Sequence, residues 1–281
     1  MCTALNYVSE KHYFGRNFDW NEGYGEKVVI TPRNFKIKFR YENAMDTHFA
    51  IMGMGIINNN YPLYYDGVNE YGLCMAGLNF PDNAVYKECV CDKKNITSYE
   101  IVLWVLSQCK TTDEARTLLQ NTNIANTAFS ENLSTSPLHW IVSDRNKSIV
   151  IEPVSEGLMI YDNHTNVLTN NPVFPKQLEN LKKDIPYGPS SESRFKRAVE
   201  LVNSAPKIID ESECVKKITD ILLEVGRVKT EEEPKYTIYS ACINATDIIY
   251  YYKLYEDDKT YKVSLGDCDI SSDKIVEGNV F

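Results

Sequence analysis

The amino-acid sequence predicts an α+β fold in which antiparallel sheets are covered by helices. Strand-like segments come in hairpin pairs joined by short polar turns. Helix-like segments fall in two separate groups rather than alternating one by one with strands, as a parallel doubly wound sheet would require. The 281 residues contain no internal repeat and no linker rich in Gly, Pro or Ser, which favours a single domain over 1–281.

The elements follow in order. Residues 3–8 and 12–19 read as a hairpin around Ser9-Glu10-Lys11. Strands over 28–31 and 35–39 flank the turn Pro32-Arg33-Asn34, and Lys36 and Lys38 alternate with Ile37 and Phe39 in strand period. Apolar runs over 49–54, ending at Gly55, and over 73–78, entered through Asn69-Glu70-Tyr71-Gly72, add two more strands. Thr97-x-x-Glu100 and Thr111-x-x-Glu114 have capping-box form and open helices over 99–109 and 113–120. Strands return over 139–143, 148–153, 158–162 and 167–169, with Asp144-Arg145-Asn146-Lys147 as a hairpin turn. Helices over 176–182, 192–204 and 212–225 come next, and strands over 237–244, 247–255 and 261–264 close the series. The run Glu231-Glu232-Glu233-Pro234 reads as a solvated loop, and Glu256-Asp257-Asp258-Lys259 as a turn.

A net charge of −9 argues against nucleic acid as a partner, because phosphate binding needs clustered Lys and Arg. No stretch has the apolar length that spans a bilayer, so membrane insertion is not expected. The first residues lack the basic and apolar regions of a signal peptide, and a cytoplasmic protein is expected. The eight Cys fit no zinc spacing; Cys89-x-Cys91 is the one close pair, and no second pair or His cluster completes a ligand set. Free thiols in a reducing compartment, with no metal and no cofactor, are the expectation. The four His (12, 48, 139 and 164) form neither a triad nor a metal pattern, and His139 reads as a strand residue with a satisfied ring.

Cys2 carries the chemistry. Removal of Met1 would leave a thiol and a free α-amine on one residue. An α-amine titrates at about 8, so it can serve as a base near neutral pH. A nucleophile served by its own terminal amine is an effective catalytic arrangement. Taken alone, a Cys near a terminus is a weak signal and is more often incidental. The hairpin adds weight, because it brings Arg16 and Asp19 back towards Cys2. Arg16 would favour thiolate and Asp19 could orient the amine; the competing reading is a surface Arg–Asp pair of little consequence.

Cys2-Thr3, Phe14-Gly15-Arg16-Asn17-Phe18-Asp19, Gly53-Met54-Gly55, Asp66-Gly67-x-Asn69-Glu70-x-Gly72-Leu73, Ala76-Gly77-Leu78-Asn79-Phe80-Pro81, Leu138-His139-Trp140, Leu168-Thr169-Asn170-Asn171-Pro172 and Ser193-Arg194-Phe195 occur in this order. Together they resemble the choloylglycine hydrolase family, which contains conjugated bile salt hydrolases and penicillin V acylases. The resemblance runs from residue 1 to about 264 and implies an N-terminal nucleophile hydrolase fold, a four-layer αββα sandwich of two antiparallel sheets. It implies Cys2 as nucleophile, Arg16 and Asp19 as the groups that organise its thiol and amine, Asn170 and Asn79 as donors to the developing oxyanion, and Arg194 as a further active-site residue. It also implies a small-molecule amide as substrate.

In this family Asn at position 79 resembles the bile-salt side, whereas penicillin V acylases tend to carry Tyr. Phe18, Tyr24, Ile57, Ala128, Phe129 and Leu133 stand where relatives line the acyl pocket, and Asn58 stands where some bile-salt enzymes have an aromatic. Deconjugation of glycine- or taurine-conjugated bile salts is the first expectation; penicillin V, acyl homoserine lactones and other fatty N-acyl amides are the alternatives. The segment between Pro172 and Arg194 is shorter than the family excursion that reaches a neighbouring subunit, so any homo-oligomer would lack the full tetramer loop. A degenerate member that binds amides without cutting them is the non-enzymatic alternative, disfavoured because every expected catalytic position is filled.

Overall fold

The computed structural model describes residues 2–231, 234–255 and 257–278. Met1, whose removal the chemistry invokes, Glu232 and Glu233 of the acidic loop, and Glu256 of the last turn lie outside the described residues. The chain opens with β1 (Thr3–Val8) and β2 (His12–Trp20), paired with Thr3 opposite Asn17 and Val8 opposite His12. Next come β3 (Lys27–Thr31), β4 (Ile51–Asn58), β5 (Tyr61–Tyr64), β6 (Asp66–Asn69), β7 (Cys74–Asn79) and β8 (Lys94–Thr97). Helices α1 (Ile101–Leu106) and α2 (Thr112–Gln120) lead into β9 (Thr122–Ala125), β10 (Leu138–Ser143), β11 (Ser148–Val154), β12 (Gly157–Asp162) and β13 (Val167–Leu168). Helices α3 (Phe174–Asn180), α4 (Ser191–Asn203) and α5 (Glu211–Glu224) follow, then β14 (Tyr236–Asn244), β15 (Ile249–Leu254), β16 (Tyr261–Ser264) and β17 (Val276–Gly278).

One sheet has the order β13-β1-β2-β14-β15-β16, and its pairs are antiparallel. The larger sheet has the order β12-β11-β10-β7-β6-β4-β3-β17, with β5 added on β4. Helices α4 and α5 lie on β1, β2 and β14 of the first sheet, α1 lies on β6 and β7 of the second, and α2 packs against β10 and β12. The sheets meet where β7 touches β1 and β2. This is the four-layer αββα sandwich.

The apolar runs of the larger sheet explain themselves in this frame. Ala76, Leu78, Ile141 and Val150 enter the core between the sheets, while Met75, Trp140, Val142, Ile149 and Ile151 enter the core under α1. With both faces buried, successive residues must all be apolar, and the strands read as continuous runs rather than alternating ones.

Several local expectations are corrected. Residues 35–39 form no strand: Phe35, Ile37 and Phe39 are buried in alternation, but the only ladder contact is an isolated bridge of Ile37 with Met45. Period-two burial reports a ridge packed on a core and does not require a sheet partner. Gly55 does not end its strand, which continues to Asn58 and pairs with β5. The short strands β5, β6, β8, β9 and β17 carry no sequence signal, because three or four residues give no periodicity to detect. Helix α1 is shorter than its apolar face. The Ser107 hydroxyl and Gln108 amide both donate to the Trp104 carbonyl, at 3.1 and 2.7 Å, so side chains compete with the backbone at that turn. The Thr111 hydroxyl caps α2 through the Glu114 N–H as expected, at 3.2 Å. At Thr97 only the Glu100 half of the box forms, its carboxylate accepting the Thr97 N–H at 3.0 Å.

Candidate active site

The β1–β2 register decides which groups meet. Ala4 lies opposite Arg16, so the residues just before β1 approach the end of β2. Side chains alternate across the sheet. Arg16 therefore faces the second sheet, whereas Asn17 and Asp19 face the helices, where Asn17 donates to the Leu222 carbonyl of α5.

Arg16 is 2% exposed and holds four neighbours. Its Nη2 lies 3.8 Å from Cys2 Sγ and donates to the Gly77 carbonyl at 2.7 Å. Its Nη1 donates to Asp66 Oδ2 and to the Tyr239 hydroxyl, both at 2.9 Å. The Tyr239 and Tyr250 hydroxyls donate in turn to Asp66 Oδ2 and Oδ1, at 2.5 and 2.6 Å. The carboxylate so held satisfies the rule that a buried charge must be paired and hydrogen-bonded. Arg16 and Asp19 are not partners of each other, so the surface-pair reading is overturned.

The main-chain side of Cys2 is organised from the helix layer. The Cys2 nitrogen donates to Asn170 Oδ1 at 2.6 Å. Arg194, in the first turn of α4, donates through Nη1 to the Cys2 carbonyl at 2.8 Å and to Thr3 Oγ1 at 2.6 Å, and through Nη2 to Asn170 Oδ1 at 2.9 Å. The Ser190 hydroxyl caps that turn by accepting the Ser193 N–H. Asp19 Oδ2 lies 3.8 Å from Arg194 Nη1, and Asp19 Oδ1 accepts from Thr237 at 2.8 Å. Burial raises the Asp19 carboxyl above its ordinary value, with Arg194 opposing the shift. Asn170 Nδ2 donates to the Asn79 carbonyl at 2.7 Å, which joins the end of β7 to the segment after β13. All six expected catalytic residues are thus brought to one place, from the residue before β1 and from β2, β7, α4 and the 169–174 segment.

The expected acyl-pocket residues fall into two groups. Phe18 is stacked on Tyr65 (4.9 Å) and Tyr239 (5.5 Å), with the Arg16 guanidinium 5.1 Å from its ring centre. Tyr24 is half exposed on the loop after β2. Ile57 and Asn58 end β4, where Asn58 pairs with Tyr61, and the Phe129 ring lies 5.9 Å from Tyr61 and 5.1 Å from Tyr99. The Arg40 guanidinium donates to the Ala128 and Phe129 carbonyls, and Leu133 bridges Ser130 in the same loop. Strand β5 separates the groups, with Tyr61 at one end and Tyr65 just past the other. A surface cleft of about 410 Å³ lies beside Gly23, Gly25, Tyr236 and Tyr255, and Cys2 does not line it. Cys89 and Cys91 are exposed free thiols.

A family model described as linear amide C–N hydrolases, choloylglycine hydrolase family, matches residues 2–187 and 183–278. The chain belongs to the choloylglycine hydrolase family. It is 41% identical over 299 residues to the bile salt hydrolase/transferase of Lactiplantibacillus plantarum, covering 94% of this chain and 92% of that one. It is 35% identical over 317 residues to the conjugated bile acid hydrolase of Lactobacillus gasseri, covering 98% and 99%. A solved mutant of the conjugated bile acid hydrolase from Clostridium perfringens matches with a TM-score of 0.90 at 30% identity, covering 100% of this chain and 97% of that one. The penicillin V acylase of Agrobacterium tumefaciens shares the fold, with a TM-score of 0.83 at 19% identity and coverage of 98% and 90%. As a choloylglycine hydrolase family member the chain is an amidohydrolase. Among the described residues no helix is long and apolar enough to cross a membrane.

Sequence reasoning missed three groups of this choloylglycine hydrolase site: Asp66, Tyr239 and Tyr250. Asp66 opens a motif that was quoted for its family likeness, but nothing local says that its carboxylate is buried. The tyrosines stand in an ordinary β pattern. Only strand pairing and sheet packing bring Asp66 and Tyr239 to Arg16, and Tyr250 to Asp66.

Proposed function

We propose that the chain, once Met1 is removed, deconjugates glycine- or taurine-conjugated bile salts through an acyl-thioester on Cys2. The observation that carries the mechanism is the double hold on one residue: Arg16 beside its sulfur at 3.8 Å, and Asn170 and Arg194 on its main-chain nitrogen and carbonyl. The Cys2 thiol gives its proton to its own α-amine, and the thiolate attacks the amide carbonyl carbon. In this reading Asn170 and Asn79 donate N–H bonds to the oxygen as it gains negative charge; one such donor is worth about 3 kcal/mol. The C–N bond breaks as the α-ammonium delivers its proton to the leaving nitrogen, releasing glycine or taurine. Water then attacks the thioester with the amine as base, freeing the acid and restoring the thiol.

The bile-salt choice is supported by Asn79 at the end of β7 and by the names of the relatives that cover most of this chain. A cytoplasmic enzyme acting as one domain fits this reading. The deciding experiment measures Met1 removal by mass spectrometry, then turnover of taurocholate, glycocholate, penicillin V and a long-chain acyl homoserine lactone. Bile-salt turnover is expected to dominate and to vanish in Cys2→Ala. Dominant cleavage of penicillin V or the lactone overturns the substrate, and residual turnover in Cys2→Ala overturns the mechanism.

A further inference from the structure

His139 and Glu152 are both 0% exposed, on the adjacent strands β10 and β11, and neither belongs to the chemistry above. His139 Nε2 lies 2.7 Å from the Thr169 carbonyl and Nδ1 lies 3.1 Å from Glu152 Oε1. The Thr169 carbonyl can only accept, so Nε2 is the donor to it and Nδ1 is the nitrogen turned to Glu152. Both Glu152 oxygens also accept the Phe174 N–H, at 2.9 and 3.1 Å. The pair therefore grips both ends of the segment from Thr169 to Phe174, which carries Asn170.

The same imidazole reaches the other amide. Its ring stacks on Phe80 with centroids 4.1 Å apart and planes 6° from parallel, and Phe80 directly follows Asn79. His139 thus touches the residue after Asn79 and the residue before Asn170. Between those two amides runs the 2.7 Å bond from Asn170 Nδ2 to the Asn79 carbonyl. We propose that His139 is a positioning residue that sets the spacing between Asn79 and Asn170, with Glu152 holding its ring. The proposal rests on the reading of those two amides as oxyanion donors. A buried ion-pair-like contact is a poor source of net stability, since desolvation offsets the attraction, so its use here is orientation. Transition-state donors lose effect when displaced by about 1 Å, which can cost on the order of a hundredfold in rate.

The test uses the processed full chain and two readouts. One is kcat and KM for glycocholate; the other is the rate at which iodoacetamide alkylates Cys2, a displacement that forms no oxyanion. His139→Leu is expected to lower kcat about tenfold or more while KM and alkylation stay within about threefold. His139→Gln, which keeps an N–H donor, is expected to recover part of the loss. Should His139→Leu fail to fold, Phe80→Leu and Glu152→Gln remove the stack and the ring's partner and are expected to show the same split. An unchanged kcat, or alkylation falling in step with kcat, overturns the positioning role. Asn170→Ala serves as the reference: full turnover there refutes the oxyanion assignment itself, independently of what His139 does.

Discussion

Arg16 and Asp66 meet at 2.9 Å between the two sheets, both buried, and the same guanidinium reaches to 3.8 Å from the Cys2 sulfur. The carboxylate fixes one edge of the Arg16 fork, so the other edge has a single place to be. Removing one partner of a buried pair leaves an uncompensated charge, at a cost of about 3–5 kcal/mol. Asp66→Asn is expected to lower unfolding free energy by that order and to reduce turnover. Denaturant titration and kinetics on one preparation check it; a variant of native stability and activity contradicts the role given to Asp66.

Asn170 is bound from three directions, by the Cys2 nitrogen, Arg194 and the Asn79 carbonyl. Loss of one oxyanion donor lowers kcat about 10²–10³-fold. Asn170→Ala is expected to fall in that range. Arg194→Lys replaces a fork bonded to Cys2, Thr3 and Asn170 with a single ammonium, and should lower kcat without abolishing alkylation of Cys2. Equal kcat for wild type and either variant would remove that residue from the site.

His12 is buried, with Nε2 bonded to Asn6 Oδ1 at 2.7 Å, and burial lowers its pKa from 6.5 to about 4, with Asp144 opposing the shift and Arg145 adding to it. Between those values the unfolded chain binds a proton that the folded chain does not. Its contribution is complete above pH 6.5 and is lost as pH falls towards 4, by roughly 3 kcal/mol at most. His12→Gln is expected to flatten that part of the stability profile. Urea titrations at pH 7.5, 6 and 5 would show it (the intervals are chosen at about one unit or more across the window), and identical slopes for both proteins would exclude the effect.

Gly53 lies on β4 against the Asp66–Gly67 main chain of the neighbouring strand β6. A Cβ there would stand 2.1 Å from the Asp66 carbonyl oxygen and 2.6 Å from the Gly67 Cα. Both are backbone atoms and cannot swing away. Gly53→Ala is expected to cost about 1–3 kcal/mol, or a fall of several degrees in Tm. It should also shift Asp66 and lower activity; a wild-type Tm would show that the sheet accommodates the methyl.

The long strands were legible because their hydrophobic runs and turns are strong local signals. Residues 3–8 form a strand with those bounds, and 12–19 form all but the last residue of theirs. The helices of the second half lie within two residues of the expected bounds, and in the structure Ser190 and Asp210 cap α4 and α5. Residues 35–39 misled because Phe35, Ile37 and Phe39 bury in strand period against a core rather than within a sheet. For the site, the six catalytic candidates came from short strings whose family likeness carries information that spacing does not. The acyl-pocket candidates were harder, since their neighbours, such as Tyr65 beside Phe18 and Tyr61 beside Phe129, come from β5 and its flank, an element too short to read.

By itself the sequence determined the fold class, the place of Cys2 and the hairpin that returns Arg16 to it, because hydrophobic period and turn chemistry act between near neighbours along the chain. Only the tertiary structure decided that Arg16 pairs with Asp66 rather than Asp19, and that His139 stands between the segments of Asn79 and Asn170. Those choices depend on which faces of two separate sheets are pressed together. A buried charge takes its partner from across that interface, where water is excluded and no local pattern records the distance.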